Sequence, residues 1–206
     1  MPSDDVQDTW REIESVLLGA GPAQLFALNP PAAEAGLAAL ERELGTALPA
    51  PLKALLRIHD GQQDTAACGV FFGLTFLSVQ GIGLHWRNWR SLAEEGMDDA
   101  LAGSMTSRPP GMIKPVYFNA RWLPFTDDAG GNHLGVDGDP DTHGTAGQVI
   151  AFGRDEDEKR LLGSSVDDFL RRFLAQLRSV RWSLAKGYWS FEDPAHRKSY
   201  PLWGAL

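Results

Sequence analysis

The apolar positions of this chain follow helical spacing at both ends and strand-like runs in the middle. Val6, Trp10, Ile13, Val16 and Leu17 share one helix face, with Ser3, Asp4 and Asp5 placed to cap the start and favour the helix dipole. Gly19 to Pro22 ends this helix, and Ala23 to Leu28 leaves room for one short turn. Asn29-Pro30-Pro31 predicts the start of a second helix, with Leu37, Leu40 and Leu44 as its stripe and Gly45 as its C-terminal cap. Leu48-Pro49 opens a third, carrying Leu52, Leu55, Leu56 and His59 as far as Asp60-Gly61.

The pattern then changes. Gly69 to Val79, GVFFGLTFLSV, is rich in β-branched and aromatic residues and predicts one or two strands bent at Gly73. Gly83 to Glu95 returns to helix, with Trp86, Trp89, Leu92 and Ala93 on its apolar side and His85 at the edge of that stripe. The loop-like segment 98–112, containing GSMTSRPPG, follows. Val116-Tyr117-Phe118, Trp122 to Phe125, His133 to Val136 and Gln148 to Gly153 predict a run of strands, with Asn119 to Arg121 as a turn. Ser165-Val166-Asp167-Asp168 has the form of a capping box. It precedes Val166, Phe169, Leu170, Phe173, Leu174 and Leu177, the clearest amphipathic helix in the chain. After Val180 the tail carries Trp182, Tyr188, Trp189, Phe191, Tyr200 and Trp203 without a sustained period. It reads as an extension that packs back on the domain or meets a partner.

This order predicts an α+β fold, a central antiparallel or mixed β-sheet flanked by helices, with a C-terminal extension. The expected boundaries are one domain over 1–178, with 81–115 as a candidate insertion, and the extension over 179–206. A length of 206 residues suits that single domain. The net charge of −8 argues against a surface built for nucleic acid or an anionic membrane, and it suits a basic partner. With Cys68 the only cysteine, no internal disulfide can form, and a free thiol fits a reducing compartment. The N-terminus, MPSDDVQDTW, has neither the basic start nor the apolar run of a signal peptide, and no run reaches membrane-spanning length. A cytoplasmic protein is expected.

Acids crowd the centre of the chain: Asp127, Asp128, Asp137, Asp139, Asp141, Asp155, Glu156, Asp157 and Glu158. Asp137-x-Asp139-x-Asp141 begins like a calcium loop, but Thr142 stands where the turn glycine belongs and Gln148 where the bidentate Glu belongs. A general acid/base pair such as Asp128 and Asp137 needs a pocket that no linear pattern shows. Turn chemistry accounts for most of the set, since Asp, Asn and Gly bend chains between strands. His133 and His143 lie far apart with no Cys nearby, so no zinc site is expected. His59, beside Asp60, reads as a capping histidine at a helix end. Cys68 has no local base and reads as a buried, inert thiol. Gly130-Gly131-Asn132 is a turn rather than a phosphate cradle, because no helix follows it. No catalytic residue is assigned, and no metal or cofactor is expected.

An ordered set of motifs nevertheless resembles a known family. Trp10 precedes Ile13-Glu14. Leu48-Pro49-x-x-Leu52-Lys53-x-Leu55-Leu56 leads to His59-Asp60-Gly61. Trp122-Leu123-Pro124-Phe125 precedes Asp128-x-Gly130-Gly131-Asn132 and Leu134-x-Val136-Asp137, and Gly147-Gln148-Val149-Ile150 precedes the helix at Ser165. Together these resemble the Smi/Knr cell-wall-assembly-regulator family of the SUKH superfamily, over roughly residues 6 to 178, with 81–115 and the tail unmatched. The resemblance implies an α+β fold and a non-enzymatic, protein-binding role. Trp10, Trp122, Pro124, Gly130 and Gly131 carry a structural signature within it.

Bacterial members of that family are commonly immunity proteins that neutralise toxins, often nucleases, and fungal members regulate glucan synthesis in wall assembly. The leading expectation is an immunity protein that binds a basic toxin, with a regulator of wall synthesis as the alternative. Candidate contacts are Asp128, Asp137, Asp139, Asp141, Asp155, Glu156 and Asp157. A rival of another class is a metal-dependent hydrolase using the Asp127–Asp141 cluster, with Asp128, Asp137, Asp139 and His133 as its residues. If the closing helix is core, Phe169→Ala costs about 2–5 kcal/mol in a denaturant titration. An unchanged midpoint refutes that placement.

Overall fold

The computed structural model describes residues 2–96, 101, 103–185 and 188–191. Helix α1 spans Pro2–Ala20 and buries Val6, Trp10, Ile13 and Leu17, the predicted face. A short 3-10 turn at Ala23–Leu25 leads to α2 (Glu34–Leu44) and α3 (Ala50–Leu56). Strand β1 (Thr75–Phe76) precedes α4 (Val79–Glu94). Strands β2 (Thr106–Arg108), β3 (Trp122–Pro124), β4 (Thr126–Asp127), β5 (Asn132–Asp137), β6 (Gln148–Gly153) and β7 (Glu158–Gly163) follow. Helix α5 (Val166–Ser179) and the hairpin β8 (Trp182–Ala185) and β9 (Tyr188–Phe191) close the described chain. Among the described residues no helix is long and apolar enough to cross a membrane.

The main sheet is mixed, in the order β2-β7-β6-β5-β3, with β2 parallel to β7 and every other pair antiparallel. Every residue of β5 and β6 is buried, so both faces of this central pair are covered. Helix α5 packs against β6 and β7, with α1 and α3 against it. Its start is fixed by Ser165, whose hydroxyl accepts from the Asp168 N–H, while the Asp168 carboxylate accepts from the Ser164 N–H. The face carrying His133, Ile150 and Phe152 is closed instead by an aromatic group of Trp89, Tyr117, Phe118 and Trp122. This is the expected α+β layout, with helices flanking a mixed sheet.

Several elements differ from the sequence reading, each for a local reason. The second helix begins at Glu34 rather than at Asn29. Asn29 and Pro30 each precede a proline, which pushes them out of helical conformation. Their backbone pairs with the loop after α3 instead, Asn29 N–H to Gly61 O and Asp60 N–H to Pro30 O. Tyr117 and Phe118 are consecutive and both buried, so 116–118 turns both rings inward rather than alternating as a strand. Strand β7 went unpredicted because a charge sits at a core position. Lys159 is fully buried, its Nζ donating to Glu156 O at 2.6 Å and lying over the rings of Tyr117 and Trp122. Strand β2, three polar residues, lies in the segment that reads as loop.

The largest difference is at Gly69 to Val79, which forms two residues of strand and a tight turn rather than one or two full strands. One side chain satisfies two of its backbone N–H groups and two carbonyls that precede it. Buried Gln62 donates from Nε2 to Phe26 O (2.6 Å) and Cys68 O (2.8 Å). Its Oε1 accepts from the N–H groups of Val70 (3.0 Å) and Phe76 (2.9 Å). Glycines permit the closeness this needs. Gly61 has φ +69°, and a Cβ there would strike the Leu77–Ser78 backbone; one at Gly69 would strike Gly73 and Leu74. The turn points Phe71 into the core, with ring contacts to Trp10, Phe76, Phe125, Phe169 and Phe173 at 5.2–6.0 Å.

Through residue 191 the tail packs back on this turn. Trp189 donates to Gly69 O at 2.8 Å and its ring meets Phe72 at 5.0 Å and Phe26 at 6.2 Å. Tyr200 and Trp203 lie outside the described residues.

Replacing Gln62 with alanine leaves four buried backbone groups without partners. At about 1–3 kcal/mol for each unsatisfied group, with partial relaxation, the expected loss is at least about 3 kcal/mol. Urea denaturation of Gln62→Ala measures it, and a loss under about 1 kcal/mol would show that the turn holds without the amide.

Candidate functional site

The candidate acids fall into two groups at opposite ends of the main sheet. Strands β5 and β6 make an antiparallel pair, so the loop joining them and the loop after β6 lie at opposite ends of the sheet. Asp137, Asp139 and Asp141 sit at one end. Asp128, Asp155, Glu156 and Asp157 sit at the other, where Asn132 Nδ2 donates to both Asp128 (2.8 Å) and Asp155 (3.2 Å). At about 3.3 Å per residue, six strand residues separate the two groups by roughly 20 Å.

Burial divides them further. Asp137 is fully buried and is not available as a surface contact. Its oxygens accept from the Asp139 N–H and from Gln148 Nε2, each at 2.9 Å, and burial pushes its carboxyl above the usual range. Asp128 holds its turn, with Oδ1 accepting from the N–H groups of Gly130 (2.7 Å) and Asn132 (2.9 Å). Asp139 pairs with Lys114 at 2.7 Å and accepts from Asn119; these two contacts, Asn119 first, lower its pKa. Asp141 is half-buried and accepts from the Thr142 N–H. Glu156 is half-buried, its carboxyl raised by desolvation, whereas Asp155 and Asp157 are exposed. The hydrolase set of Asp128, Asp137, Asp139 and His133 is therefore divided between the two ends of the sheet. His133 is the second residue of β5, near Asp128, while Asp137 is its last residue and Asp139 lies beyond it.

His133 meets different partners. Its side chain is 1% exposed, and its Nδ1 donates to Thr126 O at 2.7 Å, which fixes the ring and leaves the lone pair on Nε2. Burial holds its pKa below the ordinary imidazole value, against the pull of the Thr126 hydrogen bond and of Asp127 and Asp128. Asp127, on β4, places Oδ1 3.7 Å from His133 Nδ1 and Oδ2 4.0 Å from His85 Nε2. The His85 and His133 rings meet edge-on at 5.0 Å. One donor atom from each of the three residues lies within 4.8 Å of the other two.

Three elements bring these residues together. Helix α4 is started by Ser78, whose hydroxyl accepts from the Gly81 N–H, and by Asp60, which accepts from the Val79 N–H at 2.7 Å. Ile82, Trp86 and Trp89 form its buried stripe, and His85 falls within it, half-buried. Strand β4 is held by its pairing with β1, Thr75 opposite Asp127. The cluster opens into a cleft of about 440 Å³, also lined by Asn88, Trp89, Leu92, Tyr117 and Arg154.

The remaining sequence candidates have structural roles. His59 lies just beyond α3 rather than capping it, and bridges Asn29 O (2.6 Å) and Glu14 (2.9 Å on α1). Cys68 is buried, and desolvation pushes its thiol up to about 11. Trp10 and Trp122 are fully buried and Pro124 pairs with Gly135 across β3 and β5. Gly130 and Gly131 form the turn into β5. Sequence reading placed His85 at a stripe edge and His133 among the acids. The available signal was that each falls on the inward side of its own element, His85 three residues after Ile82.

Comparison with known proteins bears on this architecture directly. A model of the SMI1 / KNR4 family (SUKH-1) matches residues 31–172, a span that includes 81–115. The cell wall assembly regulator SMI1 of Saccharomyces cerevisiae is 29% identical, over 88% of this chain and 43% of its own length. The cell wall biosynthesis/cell cycle regulator smi1 of Schizosaccharomyces pombe is 35% identical, over 69% of this chain and 30% of its own. A glucan synthesis regulatory protein of Neurospora crassa is 31% identical, over 69% of this chain and 33% of its own. The chain thus spans less than half the length of these relatives, all of which are named as regulators. With the ordered motifs, the mixed sheet and a match over most of its length, the chain belongs to the SMI1 / KNR4 family (SUKH-1).

Proposed function

We propose that this chain is a non-enzymatic, protein-binding module that regulates cell-wall glucan synthesis through a protein partner. The observation that carries the reading is the naming of its relatives. Proteins of three fungi, aligned over 69–88% of the chain, are named as regulators of wall assembly, wall biosynthesis or glucan synthesis. That naming favours wall regulation over neutralisation of a toxin, a reading that gains nothing from these relatives.

The contact face of this proposal is the sheet end that carries the turns 128–131 and 154–157. Asp155 and Asp157 are exposed there, and Ala129, Gly131 and Arg154 line the adjoining cleft. The partner's matching surface is basic, because opposite potentials speed encounter and sharpen specificity. Asp137 and Asp128 are not contacts in this reading, since their oxygens are already engaged within the fold.

Deleting the gene in the organism that carries it is expected to lower wall glucan and raise sensitivity to wall-binding dyes. The tagged full chain is expected to co-purify with a component of glucan synthesis. Replacing exposed Asp157 with lysine should weaken that co-purification at least about three-fold at an unchanged denaturation midpoint, as removal of an exposed charge does. A normal wall in the deletion strain, together with lost resistance to a toxin, would sink the reading in favour of immunity.

A further inference from the structure

We propose that His85, Asp127 and His133 form a binding site for a divalent transition metal of the zinc type. The inference stands apart from the partner reading, since it rests on three side chains brought together from α4, β4 and β5.

The spacing is the first argument. Asp127 Oδ2 stands 4.0 Å from His85 Nε2, too far for a direct hydrogen bond, and because His133 Nδ1 is committed to Thr126 O, a metal would take His133 Nε2. All three donor atoms lie within 4.8 Å of one another. Ligand atoms about 2.0–2.1 Å from a tetrahedral zinc are about 3.3 Å from each other, so closing on an ion needs a contraction of about 1 Å. The half-buried side chains of His85 and Asp127, 25% and 19% exposed, can supply that by small torsional changes.

Ligand chemistry is the second. Two imidazoles and one carboxylate suit zinc and its neighbours, whereas calcium and magnesium take oxygen ligands. His133 donates its other ring N–H to Thr126 O, the backbone-carbonyl support that metal-bound histidines ordinarily have. The ring is already oriented before any ion arrives, because Trp89 and Phe152 pack against it at 6.0 and 5.6 Å.

Access is the third. All three residues line the cleft of about 440 Å³, which opens to solvent. Three protein ligands with an open position leave room for water or for a donor from whatever enters the cleft. Bound metal would also tie α4 to the sheet, since His85 belongs to the helix and the other two ligands to strands.

The test uses the full chain, freed of metal by chelation and dialysis. Titration with zinc chloride, read by calorimetry, is expected to show one equivalent bound, and cobalt(II) to give the visible absorption of a low-symmetry tetrahedral site. His85→Ala and Asp127→Asn, each checked for an unchanged circular dichroism spectrum, should bind at least about ten-fold more weakly. His143→Ala, whose residue is exposed and outside the cluster, should bind as the parent does. Failure of the parent chain to bind either metal overturns the proposal whatever the variants do. Binding that survives both His85→Ala and Asp127→Asn also overturns it, because it places the metal elsewhere.

Discussion

The structure depends on one buried side-chain amide. Gln62 makes four hydrogen bonds to buried backbone, donating to the Phe26 and Cys68 carbonyls and accepting from the Val70 and Phe76 N–H groups. Without such partners, buried peptide groups cost more than this turn could recover through its apolar contacts. With them, the turn carries Phe71 to the meeting point of α1, α5 and the β1–β4 pair. The same turn positions the next two elements of the chain. It ends in β1, which pairs with β4 and so places Asp127; it then enters α4, which places His85. The tail returns to it as well, through Trp189 and Gly69 O. The cleft and the core thus share one support.

How much of this was legible in the sequence depended on which forces had local signatures. Helices α1 and α5 and strands β5 and β6 could be read, because each repeats an apolar pattern over more than one turn or pleat. Capping at Ser165 was legible for the same reason, a local hydrogen bond between residues three apart. Strand β7 was not, since a buried lysine at its second position breaks the pattern and is held by the Glu156 carbonyl and two aromatic faces. Nor was the Gly69–Val79 turn, whose β-rich composition was overridden by a glutamine several residues upstream. Propensity describes what a segment prefers alone, and here tertiary hydrogen bonds decided.

For the site, sequence showed the residue types but not their grouping. The acids clustered along the chain, yet an antiparallel hairpin sends consecutive loops to opposite ends of a sheet. The residues that converge, 85, 127 and 133, were separated by a helix, a loop and two strands. Proximity in sequence favoured Asp128 as the partner of His133, whereas Asp128 is committed to its turn and Asp127 turns toward the histidines. The relatives of this chain are two to three times longer, so it corresponds to one part of what those regulators contain.

Native-state hydrogen exchange tests the central role of the Gln62 turn most directly. The Val70 and Phe76 amides donate to Gln62 Oε1 rather than to a sheet or helix ladder. If the turn supports the core, both exchange only on global unfolding, with the same free energy and the same denaturant dependence as the protected amides of β6. Exchange at a lower free energy and independent of denaturant would mean that the turn opens while the sheet stays folded, and would contradict the account.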